Sequence, residues 1–173
     1  MILEAAQLIC TNLWLDHLFG YIPRNITKEE NAVLQTTRKQ QKELPMDERI
    51  FPYLPTMFNH PSCVWVRTSM ENFAWTHNYA NALGSEAHYR YGSLHKSLDM
   101  INNLPDPQHI PDIGFTEFAL AMPEELKDYD NPIQSYRNFY MLDKATFAAW
   151  KHRDKPPWWE EELADYENRI SGQ

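Results

Sequence analysis

Apolar residues recur at three- and four-residue spacing along most of this chain, and they do not alternate as a half-buried strand would. Leu3, Ala6, Leu8, Ile9, Leu13, Leu15 and Leu18 predict a first helix over Ile2–Phe19, ended by Gly20 and Pro23. Thr27 with Glu30 three residues later is a capping-box pattern that opens a second helix, Thr27–Leu44. It is polar on most sides, with Ala32, Val33 and Leu34 as apolar contacts, so 25–50 reads as a peripheral helix or insertion. Pro45 stops it, and Phe51–Asn59 is an irregular aromatic connector.

From His60 to Lys96 the pattern predicts one long helix, about 61–92, with Pro61 in its first turn. About 32 residues in a helix span ~48 Å. Val66, Met70, Phe73, His77, Ala80, Gly84, Ala87 and Tyr91 form one stripe, and Trp65, Trp75, Tyr79 and Leu83 form a second apolar side. A helix buried on two sides is the central element of an α domain. Gly92 punctuates it, and Ser93–Leu104 continues as a short helix. After the proline-rich loop Pro105–Ile113, a small helical piece is expected at Thr116–Ala121 and a longer helix at Ile133–Lys151, opened by Pro132. PPWW at 156–159 precedes an acidic terminal helix, Glu160–Ile170, within 158–171. The expectation is an all-α fold, 1–173 forming a single compact helical domain around the long central helix.

Composition narrows the function classes. The net charge of −8 argues against a generic nucleic-acid binder, because Lys and Arg supply most of such affinity. The acidity is local: 124–130 carries −3 and Asp154–Gln173 carries −4, leaving the remainder near neutral. A basic pocket inside an acidic molecule therefore stays open. Two cysteines, Cys10 and Cys63, without a CxxC pattern, point away from a disulfide framework or structural zinc. No metal ligand set and no organic cofactor is expected. MILEAAQLIC lacks the basic start and small-residue cleavage site of a secretory signal, and no apolar run approaches a membrane span. The expected setting is the cytoplasm, without membrane partners.

Several side chains are candidates for chemistry. Arg67 is four residues from Glu71, which fits a surface ion pair, yet it lies beside stripe member Val66 and so also fits a buried functional cation. His60 precedes Pro61 at a helix start, where it either fixes the turn or helps gather an anion. Glu86, Tyr89 and Arg90 share adjacent turns, with His95 and Lys96 just beyond Gly92. A break there could swing His95 and Lys96 back towards Arg90, giving a phosphate site with a proton-transfer partner, or merely a network joining two helices. Arg137, Tyr140 and Lys144 share a face, with Tyr136 nearby, and either stack and hold a phosphate or form a solvated face. His77, inside the stripe, reads as a satisfied core histidine.

With those residues in view, the chain resembles the pyrimidine-dimer DNA glycosylase (endonuclease V) superfamily, and more closely a set of uncharacterised phage proteins related to it. The matching segments are MILEAAQLIC, NHPSCVWVR, ENFAW and EAHYRYGSLHKS, then AMPEELKDYDNPIQSYRNFY with Lys144 and the WKHRDKPPWW tail. They cover well over half the chain in consistent order. The resembling proteins carry a basic segment ahead of MILE, and this sequence starts inside that motif, as a shortened form would.

The resemblance implies an all-helical fold and a glycosylase/lyase acting at a nucleoside sugar or base. In that family a free N-terminal amine forms an imine with C1′, assisted by a glutamate; the matching residue here is Glu4. Glu4, His60 and Arg67 are then the expected catalytic group. Trp65 or Tyr89 would stack on a base, and Glu86, Arg90, His95, Lys96, Arg137 and Lys144 would line the ligand and phosphate site. DNA or a nucleotide is the implied partner, in the host cytoplasm if the gene is carried by a phage. The alternative is a non-catalytic phage binding protein that sequesters a nucleotide or blocks a host DNA-binding protein through its acidic surface.

Overall fold

The structure, a computed structural model, describes residues 1–150 and 152–171. Among these it is all-α: seven α-helices joined by loops and short 3-10 turns, with no strand. The chain divides into two compact units, Met1–Ala119 and Leu120–Gln173.

The first unit is built on α1 (Ile2–Phe19), which ends at Gly20 in the left-handed region, φ 66°. Every residue from Ile9 to Asp16 is buried. This is more than a stripe: α1 is enclosed on nearly all sides, as a core helix is. Its polar side chains are used to fasten the connector that follows. Thr11 exchanges two hydrogen bonds of 3.1 Å with the backbone of Thr56, and Asn12 Nδ2 donates to the Cys63 carbonyl at 3.3 Å. Trp14 Nε1 donates to the Tyr53 carbonyl at 2.9 Å. At the far end the Asp16 carboxylate accepts the backbone N–H groups of Gln108 and His109, at 2.6 and 3.0 Å. A buried polar group without such partners costs about 1–3 kcal/mol, so these bonds set the course of both loops.

Helix α2 (Lys28–Lys42) shows the full capping box: Glu30 N–H donates to Thr27 Oγ1, and the Glu30 carboxylate accepts the Thr27 N–H at 2.7 Å. Tyr21 Oη donates to the same carboxylate. These bonds, the Thr27 N–H first, hold the Glu30 carboxyl below the usual carboxylate range. A depressed folded-state value means stability that is present above the unfolded-state value and lost as pH falls through the folded one. Glu30→Gln is expected to cost about 1 kcal/mol at neutral pH. The gap from wild type should close as pH drops below the carboxylate range, as read by urea unfolding at a series of pH values.

The long helix expected over 61–92 is two helices, α3 (Pro61–Val66) and α4 (Met70–Tyr91). The break comes from Arg67–Thr68–Ser69. Ser69 is extended (φ −150°, ψ 150°) and its Oγ caps α4 by accepting from Glu71 N–H, while Thr68 Oγ1 bonds back to the Val64 carbonyl. Hydroxyl side chains compete in this way with the helix ladder. Apolar periodicity did not register the break, because Val66 and Met70 both pack against the core on either side of it. Gly92 closes α4 at φ 68°, and α5 (Lys96–Ile101) folds back onto it through Leu98 at Gly84. Short as it is, α5 covers only part of the helix expected at Ser93–Leu104.

The helix expected at Thr116–Ala121 is absent, because buried Asn72 takes over the backbone there. Its Oδ1 accepts Thr116 N–H at 3.0 Å, and its Nδ2 donates to Thr116 Oγ1 at 2.7 Å and to the Trp65 carbonyl at 2.8 Å.

The second unit pairs α6 (Pro132–Lys144) with α7 (Trp159–Ser171). The helix expected to Lys151 stops at Lys144 and passes into a 3-10 turn, Ala145–Phe147; Lys151 itself lies outside the described residues. The chain must turn here for Trp150 to meet Trp159, their rings 5.0 Å apart. Glu162, buried on α7, accepts two 2.9 Å bonds from Gln134 Nε2.

Candidate functional site

The three residues assigned to catalysis occupy different environments. Glu4 is exposed on the first turn of α1, where its carboxylate lies 3.3 Å from the Met1 amine. His60 is the N-cap of α3, and its Nδ1 accepts the Ser62 N–H at 3.2 Å. Arg67 is 2% exposed at the C-terminus of α3. Its Nε donates to the Pro23 carbonyl at 2.9 Å, one terminal nitrogen to the Phe58 carbonyl at 2.7 Å, and the other to the Arg24 carbonyl at 3.1 Å. The ion pair with Glu71 does not form, because Glu71 belongs to the next helix and accepts from Ser69 Oγ at 2.6 Å. Burial draws the Arg67 pKa down from its ordinary value. A buried guanidinium whose donors are taken up by three backbone carbonyls, with no carboxylate among these partners, is the setting of a structural tie between loops.

Burial also pushes both thiols, Cys10 and Cys63, up to about 11, and at Cys63 it outweighs the nearby Arg67 charge. Both are free, and neither supplies a thiolate at neutral pH.

Trp65 is buried, its Nε1 donating to the Thr116 carbonyl at 3.3 Å, and it stands at the centre of an aromatic cluster with Trp75, Phe115 and Phe118. The remaining first-unit candidates gather where α4 gives way to α5. Arg90 Nε pairs with Glu86 at 2.6 Å. Tyr89 and Tyr91 are 60% and 64% exposed, and Leu94, on the connection, is 78% exposed. His95 caps α5, its Nδ1 accepting the Ser97 N–H at 3.3 Å, and Lys96 is exposed beside it. Ser97 Oγ bonds Tyr53 Oη at 2.5 Å, which ties α5 to the connector. The junction of α4 and α5 thus carries exposed His88, Tyr89, Tyr91, His95 and Lys96 within nine residues of sequence.

In the second unit, Arg137 lies 5.1 Å from the Trp158 ring centroid and 3.8 Å from Glu162. Lys144 pairs with Asp143 and lies 5.7 Å from the Phe147 ring centroid. These contacts account for the tryptophan-rich tail as packing partners of α6.

A half-open recess of about 150 Å³ lies against Ile9, Phe73, His77, Asn78, Ile101 and Asp106. None of the candidate residues lines it. His77 faces the Ile101 carbonyl at 3.4 Å through Nε2 and Asn81 at 3.3 Å through Nδ1. Among the described residues no group of three His, Cys, Asp or Glu is placed to hold a metal ion, and no helix is long and apolar enough to cross a membrane. Sequence reasoning missed Asn12, Asp16 and Asn72, although a buried-face Asn or Asp inside a predicted helix is a recognisable signal, since both disfavour helix interiors.

No family model, curated protein or solved structure matches this chain. What the fold and site define is an all-helical protein with an exposed basic-aromatic corner at the end of α4.

Proposed function

We propose that this protein binds nucleic acid or a nucleotide at the corner between α4 and α5. The observation that carries the reading is the exposure of Tyr89 and Tyr91 beside Arg90, His95 and Lys96. Aromatic faces stack on any base, and nearby cations take the phosphates. The likeness of EAHYRYGSLHKS, the segment that forms this corner, to phage relatives of DNA glycosylases supports the same partner. Because few cations are present, the contact is short and its salt dependence shallow.

A labelled ten-nucleotide oligothymidylate, read by anisotropy at low salt, tests this. Tyr89→Ala with Tyr91→Ala is expected to weaken binding at least tenfold, since each stacked base is worth about 1–3 kcal/mol. Lys96→Glu should weaken it further and flatten the salt slope. Unchanged affinity in both variants would refute the corner as the contact.

A further inference from the structure

The aromatic cluster around Trp65 extends to the surface. On α4, Glu71, Trp75 and Tyr79 follow one another at four-residue spacing, and the Trp75 and Tyr79 rings are stacked at 5.1 Å, 10° from parallel. The loop 111–116 runs beside this stripe. It is held by Pro111, whose carbonyl accepts Met70 N–H at 2.8 Å, and by the Asn72 and Trp65 bonds to Thr116. The Glu71 carboxylate accepts from Ser69 Oγ at 2.6 Å, at the start of this stripe. Phe115 stands 5.7 Å from Trp65 and 5.3 Å from Phe118, edge to face.

A loop pinned at both ends would be expected to turn its apolar side chains inward. This one holds Ile113 64% exposed and Phe115 50% exposed, and Trp75, which packs on the same Trp65 and Phe118 rings as Phe115, is 39% exposed. Rigid, exposed aromatic side chains are what the energetic centre of a protein interface is made of. The charge around them has one sign. Glu71, Asp112 and Glu117 are acidic, and no Lys or Arg occurs from Met70 to Leu83 or from Pro111 to Ala119.

We infer that Ile113, Phe115 and Trp75, rimmed by Glu71, Asp112 and Glu117, form a docking surface for a basic, apolar-punctuated segment of another protein. Arg or Lys of the partner would lie over the exposed rings and meet the carboxylates, while its apolar side chains cover Ile113 and Phe115. This surface uses none of the residues assigned to the α4–α5 corner, so it stands or falls separately from the nucleic-acid reading.

The test uses the full chain and a fluorescein-labelled, amidated twelve-residue peptide of Arg, Lys and Leu in equal numbers. Two control peptides replace Arg and Lys by Glu, or Leu by Ser. The basic, leucine-containing peptide is expected to bind at least tenfold tighter than either control. Ile113→Ser with Phe115→Ser should weaken it at least tenfold, as should Asp112→Asn with Glu117→Gln. Glu160→Gln with Glu161→Gln removes the same charge from exposed positions of α7 and should leave affinity within twofold. Equal weakening by the α7 substitutions would reduce the effect to general attraction by an acidic protein and overturn the inference. So would full affinity in the Ile113→Ser, Phe115→Ser chain. Because Phe115 also touches Trp65, Asp112→Asn with Ile113→Ser, at two exposed positions, repeats the test without disturbing the cluster.

Discussion

Arg67→Met is expected to destabilise the first unit by about 3–5 kcal/mol, the cost of removing one partner from a buried polar arrangement. The guanidinium is the shared donor for the Pro23, Arg24 and Phe58 carbonyls, which belong to two loops far apart in sequence. Methionine fills much of the volume but donates nothing, so these carbonyls lose their donor, at about 1–3 kcal/mol for each that water cannot reach. Arg67→Lys should recover only part of the loss, because an ammonium cannot present the planar fork that reaches three acceptors. Thermal unfolding should fall by roughly 10 °C for Met and by a smaller amount for Lys. The alternative, that Arg67 serves a ligand at the surface, predicts the reverse pattern: little change in melting and a large loss of binding.

The same residue shows how far the sequence could be read. Its position beside Val66 made burial plausible, and it is indeed buried. What it touches could not be read, because Pro23 and Phe58 reach it only through the path of two irregular segments. Met57, in the left-handed region at φ 46°, is one turn residue on that path. Helix limits were legible where local chemistry decides them. Gly20 closing α1, the Thr27–Glu30 box and Gly92 closing α4 all act within one turn. The break at Ser69 was lost because the apolar rhythm continues across it, and the missing helix at Thr116–Ala121 because Asn72, 44 residues away, supplies the competing bonds.

The candidate site divided along the same line. Tyr89, Arg90, His95 and Lys96 flank Gly92 in sequence, so a site built from them needs no convergence of distant segments. The grouping of Glu4, His60 and Arg67 required distant segments to converge, and Arg67 turned out to face carbonyls instead. Phe115 and Ile113 drew no notice, since a short apolar run in a loop carries no periodic signal.

The corner itself depends on how closely α5 approaches α4, and Gly84 sets that approach. A Cβ built at Gly84 would lie 1.8 Å from Leu98 Cδ1 and 2.8 Å from Cγ, so the whole Leu98 side chain would have to move. On an open helix face Gly→Ala stabilises by about 1 kcal/mol through backbone entropy. Here Gly84→Ala should instead destabilise by about 1–3 kcal/mol, because overpacking outweighs that gain. The sign is expected to reverse in a Leu98→Ala background, where the space is vacant and only the helix propensity remains. Denaturant unfolding of the four chains in this cycle measures the coupling between the two positions directly. Oligonucleotide affinity should follow the same cycle, since displacing α5 shifts His95 and Lys96, which the proposed contact uses. A Gly84→Ala chain that is destabilised yet binds normally would separate the corner's packing from its proposed use.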